Sequence, residues 1–221
     1  MPDRMPRLDA VVFDFDGTLA LLNIDFRAMR RDIVELASSY GIGDDGMERL
    51  FVLEMIAEMS RRIGRKSPGR QGAFSDLALR RVADRELAGA AHSSLFPGVR
   101  EMLAELRRRG IKTGVLTRNC LEAVRAVFPD IGNYSDAVVT RDDTERVKPH
   151  PDHIRAVLRL LDAEPSTSAM VGDHPMDIRV GKVVGALAVG VLTGYSAASD
   201  LREAGADLIL ERAAEITCWL E

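Results

Sequence analysis

Asp14 and Asp16 stand two residues apart at the end of the run LDAVVFDF, and Gly17 and Thr18 follow at once. Far downstream come Thr117, which closes GVLT, Lys148, in VKPHPD, and Asp173, in a Gly172-Asp173 pair with Asp177 four residues on. Packing carboxylates into one crevice is costly unless a cation balances them. Oxygen-only ligands without His or Cys favour a hard ion, and magnesium is the usual one beside a phosphate. Magnesium takes one or two protein carboxylates and leaves room for a phosphate oxygen. Thr117 and the start of the helix after it offer donors to an anion, and Lys148 supplies a point charge. The set suits a phosphoryl group bound with Mg2+.

The two leading acids divide the work. On an extended chain, residues two apart face the same way, so both carboxylates can look into one crevice. One can attack phosphorus and form an acyl-phosphate. The other can protonate the leaving oxygen and then take a proton from the hydrolytic water.

These residues need elements to hold them. The apolar run from Leu8 to Phe15 reads as a buried strand closed by Gly17. From Pro97 onward, strands and helices alternate. Strands are expected at Ile111–Leu116, Asp136–Thr140, Ser168–Gly172, Leu187–Leu192 and Asp207–Leu210. Helices are expected at Pro97–Arg109, Leu121–Phe128, Pro151–Leu161, Pro175–Val184, Ala197–Ala204 and Ala213–Leu220. This alternation predicts an α/β fold, a parallel sheet with helices on both faces. In such a sheet ligands bind outside the carboxyl ends of the strands, where Asp14, Thr117 and Asp173 fall.

Between the first strand and the rest lies a long stretch with helical spacing and no strand candidate. Met29, Ile33, Leu36 and Ala37 mark one helix, Leu50, Leu53, Ile56, Ala57 and Met59 a second, and Leu77 to Ala91 a third. Arg61 to Gly72 reads as a loop, whose basic residues are either simply solvated or steer an anion. No parallel crossover needs that much chain, so the stretch is expected to be an inserted helical unit.

Composition narrows the class. The chain has 221 residues, 46% of them hydrophobic, which excludes a fully disordered or fibrous protein. Its 30 Lys+Arg against 34 Asp+Glu give a net charge of −4, so no nucleic-acid partner is expected. Only Lys66, Lys112, Lys148 and Lys182 are lysines, which singles out each of them for inspection. The uncharged stretch Val183 to Ser199 is short and glycine-rich, so no membrane span is expected. The N-terminus does not read as a signal peptide, and Cys120 and Cys218 have no metal or redox spacing. A reduced, cytoplasmic protein is expected.

Four motifs in register carry a resemblance. Asp14-Phe15-Asp16-Gly17-Thr18-Leu19, Thr117, Lys148-Pro149 and Gly172-Asp173-His174-Pro175-Met176-Asp177 together resemble the haloacid dehalogenase-like hydrolase superfamily, in its capped phosphatase branch. The resemblance implies a Rossmann-like core made of residues 1–20 and 94–221, with residues 21–93 as an inserted α-helical cap. It implies Asp14 as nucleophile and Asp16 as general acid and base. It implies Mg2+ held by the Asp14 carboxylate, the Asp16 carbonyl and Asp173, with Asp177 in support. Thr117 would bind the transferred phosphoryl and Lys148 would neutralise it. Arg118 and Asn119, beside Thr117, are candidates for phosphate or cap contact. The acid at Asp16 disfavours the dehalogenase and phosphonate-hydrolase branches.

Phe96-Pro97-Gly98-Val99 resembles the return from cap to core in phosphoglycolate phosphatase-like members, so 2-phosphoglycolate is the expected substrate among small phosphorylated metabolites. The segment after Leu19, Ala20 to Phe26, departs from the short acidic-serine turn frequent in that group. A phosphomutase of the phosphoglucomutase type and a non-catalytic phosphate-binding module remain as alternatives. His150 and His174 lack metal-ligand spacing and read as local hydrogen-bonding residues.

Overall fold

The computed structural model describes residues 7–220. It divides into two compact units, one holding the described residues up to Leu22 and from His92 onward, the other Asn23–Ala91.

In chain order the elements are β1 (Ala10–Phe13), β2 (Ala20–Leu21), α1 (Phe26–Ser39), α2 (Val52–Lys66), α3 (Gln71–Ala90), β3 (Ser94–Leu95) and α4 (Val99–Arg108). Then come β4 (Lys112–Leu116), α5 (Leu121–Val127), β5 (Ala137–Val139), α6 (Pro151–Leu161), β6 (Ser168–Gly172), α7 (Pro175–Val184), β7 (Leu187–Val191), α8 (Ala198–Glu203) and β8 (Leu208–Leu210).

The first unit is built on a six-stranded sheet in the order β5-β4-β1-β6-β7-β8, with every pairing parallel. All residues of β1 and β6 are buried, as continuous apolar strands covered on both faces must be. On one face Val12, Leu116 and Met170 pack with Ile154, Val157 and Leu161 of α6 and Val180 of α7. From β1 the chain winds outward through β4 and β5, then crosses back to β6 and winds the other way. The direction reverses beside β1, and this reversal opens a crevice at the strands' carboxyl ends. The α/β class and parallel sheet are therefore as the alternating pattern predicts.

A two-residue antiparallel pair, β2 with β3, lies outside that sheet, and Phe96 N–H also donates to the Leu19 carbonyl. Two-residue strands are too short for any hydrophobic period to mark, and the sequence gives no sign of them.

The second unit contains α1, α2 and α3. The expected loop from Arg61 to Gly72 shrinks to four residues between α2 and α3. Its first half is helix because Glu58 accepts from Arg61 at 2.8 Å and from Arg62 at 2.7 Å, as helical neighbours do. Ile63 continues the buried stripe of Met55, Ile56 and Met59. Basic residues one turn after an acid extend the helix, although in the sequence they look like a charged loop. The last expected helix is instead a short 3-10 segment, Ala213–Cys218.

Candidate active site

The first unit brings Asp14, Lys148, Asp173 and Asp177 into one cluster, with Thr117 at the same edge of the sheet. Asp14 follows β1, Thr117 follows β4 and Asp173 follows β6, while Lys148 precedes α6. Carboxylate oxygens of Asp14, Asp173 and Asp177 lie within 4.8 Å of one another, and all three residues are buried. The Lys148 ammonium donates to Asp14 Oδ1 at 2.6 Å and to Asp177 Oδ1 at 2.7 Å. Lys148 is itself only 2% exposed, so the ion pairs are shielded from solvent.

The electrostatics follow from that crowding. Burial pushes the Asp14 carboxyl well above the ordinary carboxylate range, and the charges of Asp177 and Asp173 push the same way against Lys148. Burial, then Asp177, pushes Asp173 up to about 6. Lys148 is held above the usual lysine value because the charges of Asp14 and Asp177 outweigh its own desolvation. Three carboxylates against one ammonium leave a negative surplus of oxygen donors, which fits a hard divalent cation.

Asp173 sits in a cradle shaped by glycine. At Gly17, where φ is +81°, an added Cβ would lie 2.5 Å from the Asp173 carboxyl carbon. A Cβ at Gly194 would also overlap that carboxylate. Tyr195 N–H donates to Asp173 Oδ2 at 3.1 Å, and Thr193 Oγ1 donates to the Gly17 carbonyl at 2.6 Å. The loop after β7 thus completes the cradle. In the sequence Thr193, Gly194 and Tyr195 are only part of the short glycine-rich stretch Val183 to Ser199, although they follow a strand at the same sheet edge.

Asp16, two residues after Asp14, is not one of the three clustered carboxylates. Its Oδ1 accepts the Leu22 N–H at 2.8 Å, so its side chain is tied to the segment that includes β2. Thr117 is buried and its Oγ1 accepts the Asn119 N–H at 3.2 Å, which leaves its hydroxyl proton available to another acceptor. The Asn119 Nδ2 is a buried donor with no hydrogen-bond partner among the described residues. Arg118 donates from Nη1 to the Lys148 carbonyl at 3.0 Å and to Met176 Sδ at 3.2 Å.

The two uncertain histidines both cap helices. His150 Nδ1 accepts from Asp152 N–H at 3.2 Å at the start of α6, and His174 Nδ1 accepts from Met176 N–H at 3.1 Å at the start of α7. Asp177 returns a bond from the first turn of α7, its Oδ2 accepting the His174 N–H at 3.2 Å.

His153 was missed. It is fully buried, its Nδ1 accepts the Lys148 N–H at 3.1 Å, and its Nε2 lies 3.2 Å from the Thr140 carbonyl. Its spacing to Val157 and Leu161 on α6, a polar residue on an apolar stripe, was the available signal. Burial and the nearby Lys148 charge push it down to about 4, so it stays neutral in the fold. The unfolded chain takes up that proton below about 6.5. The folded protein therefore loses stability as pH falls from 6.5 towards 4, by on the order of 3 kcal/mol from this residue. Denaturant melts of wild type and His153→Asn, compared across that range in chelator, will show the steeper loss in wild type. Asp173, with its raised value, works in the opposite direction in both proteins and cancels in the comparison.

Comparison with known proteins places the chain in a family. Residues 8–185 match the family model described as haloacid dehalogenase-like hydrolase. The pyrophosphatase PpaX of Bacillus cereus is 28% identical over 220 residues, covering 95% of both chains. Among solved structures, CbbY from Rhodobacter sphaeroides in complex with phosphate has a TM-score of 0.65 at 26% identity, covering 95% of this chain and 96% of that one. A haloacid dehalogenase-like hydrolase structure from Bacteroides fragilis has a TM-score of 0.71 at 20% identity, covering 95% of this chain and all of that one, and shows a shared fold. With the family model spanning most of its length and the carboxylate cluster at the switch point of its sheet, the chain belongs to the haloacid dehalogenase-like hydrolases.

Proposed function

We propose that this chain is a Mg2+-dependent phosphomonoester hydrolase of a small phosphorylated metabolite, working through an aspartyl-phosphate on Asp14. That it is a hydrolase of the phosphatase kind rests on its family. The observation that carries the rest is the buried group of Asp14, Asp173 and Asp177 bridged by Lys148.

The carboxylate of Asp14 attacks phosphorus as the bond to the leaving oxygen breaks, and Asp16 gives that oxygen its proton. Asp16 then takes a proton from water, which attacks the phosphoryl group, frees phosphate and restores the Asp14 carboxylate. Lys148 holds positive charge beside Asp14 throughout and offsets the charge that builds on the phosphoryl oxygens. The Thr117 hydroxyl and the unpaired Asn119 amide are donors for those oxygens. The Asp14 carboxylate, the Asp16 carbonyl and Asp173 would hold Mg2+, with Asp177 in support. The ion supplies Lewis-acid polarisation of the phosphoryl group. Arg118 is assigned a lesser part in substrate binding, since one of its donors already serves the Lys148 carbonyl.

The three-helix unit Asn23–Ala91 is assigned as the cap that sets substrate choice. 2-Phosphoglycolate is the first candidate substrate, on the motif set and the Phe96–Val99 segment. Pyrophosphate is the second, because PpaX is a pyrophosphatase and similar over 95% of both chains. A panel of phosphorylated metabolites that includes both, with Mg2+, tests the reading through phosphate release. Turnover concentrated on one or a few members is expected. Isomer formation from a sugar monophosphate without phosphate release would favour the mutase, and no turnover of any ester or anhydride would favour the binding module. No described helix is long and apolar enough to cross a membrane.

A further inference from the structure

We infer that His153 is a positioning residue for Lys148, and that His153 and Arg118 together fix the Lys148 backbone so that its ammonium meets Asp14. The inference rests on the proposed role of Lys148. A lysine side chain has four flexible carbons, so its ammonium is placed only as well as its Cα is. Lys148 lies in an irregular segment between β5 and α6, where no sheet ladder holds the chain. Its N–H donates to His153 Nδ1 at 3.1 Å, and its carbonyl accepts from Arg118 Nη1 at 3.0 Å. Both of its main-chain groups are thus bonded to side chains.

Each brace is anchored in turn. The His153 ring donates from Nε2 to the Thr140 carbonyl, at the end of β5. That bond fixes the tautomer and leaves Nδ1 as the acceptor that Lys148 needs. The Arg118 carbonyl accepts from Nη1 of the buried Arg141 at 3.1 Å. The ends of β4 and β5 therefore set the position of Lys148 through two side chains. A residue so placed acts on the reaction through Lys148 and touches no reacting atom.

Four variants test this by kcat, KM and Tm, on whichever phosphate ester wild type turns over, p-nitrophenyl phosphate included. In His153→Asn, Oδ1 replaces Nδ1 and keeps the acceptor for Lys148. In His153→Gln, Nε2 keeps the bond to Thr140 but the acceptor is lost. His153→Leu loses both. We expect kcat to fall on the order of tenfold to a hundredfold in the Gln and Leu variants, with KM little changed and the Asn variant close to wild type. Arg118→Met, at a partly exposed position, should lower kcat in the same way, and it carries the test if the Leu variant does not fold. If kcat simply follows Tm across the series, or Gln serves as well as Asn, His153 is only a core residue and the inference is overturned. A rise in KM alone for Arg118→Met, with kcat unchanged, would leave Arg118 only its part in substrate binding and remove the second brace. Absence of turnover in wild type would overturn the phosphatase reading instead, and an unaffected Lys148→Met the role given to Lys148.

Discussion

Asp14→Asn lowers turnover by at least about a thousandfold, because an amide cannot accept and release a phosphoryl group as the carboxylate does. The same substitution leaves the fold intact and, in chelator, makes it no less stable. Asn has the shape of Asp, and the site already carries three buried carboxylates against one ammonium. Burial already disfavours the charged form of Asp14, so removing its charge relieves repulsion with Asp177 and Asp173. Steady-state kinetics with a thermal melt checks both halves. Retained turnover would show that another group attacks phosphorus.

Lys148→Met has the opposite effect on stability and a similar direction of effect on rate. The side chain keeps its length and loses the ammonium that bridges Asp14 and Asp177. Loss of one preorganised charge at a developing anion costs about a hundredfold to a thousandfold in kcat. Without metal, two buried carboxylates lose their shared partner, which destabilises the fold by on the order of 3 kcal/mol. Added Mg2+ should then raise the melting temperature of the variant more than that of wild type, since the added positive charge replaces part of what was removed. Equal shifts in the two proteins would mean that the carboxylates and the ammonium do not share one electrostatic site.

The motif residues were legible because their chemistry demands particular types at the ends of particular strands. Asp14, Thr117 and Asp173 fall at the ends of parallel strands, so the strand-helix alternation puts them at one edge of the sheet, whereas Lys148 lies outside any strand. Less legible were the groups that act through geometry. His153 looks like a core residue until its ring is seen on the Lys148 N–H, and Gly194 looks like a loop glycine until the Asp173 carboxylate is seen against it. Arg118 and Asn119 were read as a pair, yet one reaches the Lys148 carbonyl and the other leaves a buried donor unpaired. Residues two apart in sequence gave no sign that Asp16 accepts the Leu22 N–H while Asp14 joins the cluster. The helical unit was clear in outline, but the paired charges of Glu58, Arg61 and Arg62 hid the length of α2.

The central claim is that phosphoryl transfer passes through Asp14. Wild-type protein mixed with Mg2+ and a radiolabelled substrate, quenched in acid within a single turnover and digested, reports directly on it. The account predicts label on the peptide that contains Asp14, formed and lost at rates consistent with turnover and absent in Asp14→Asn. Full turnover with no label on that peptide at any time, or label on another residue, would contradict it.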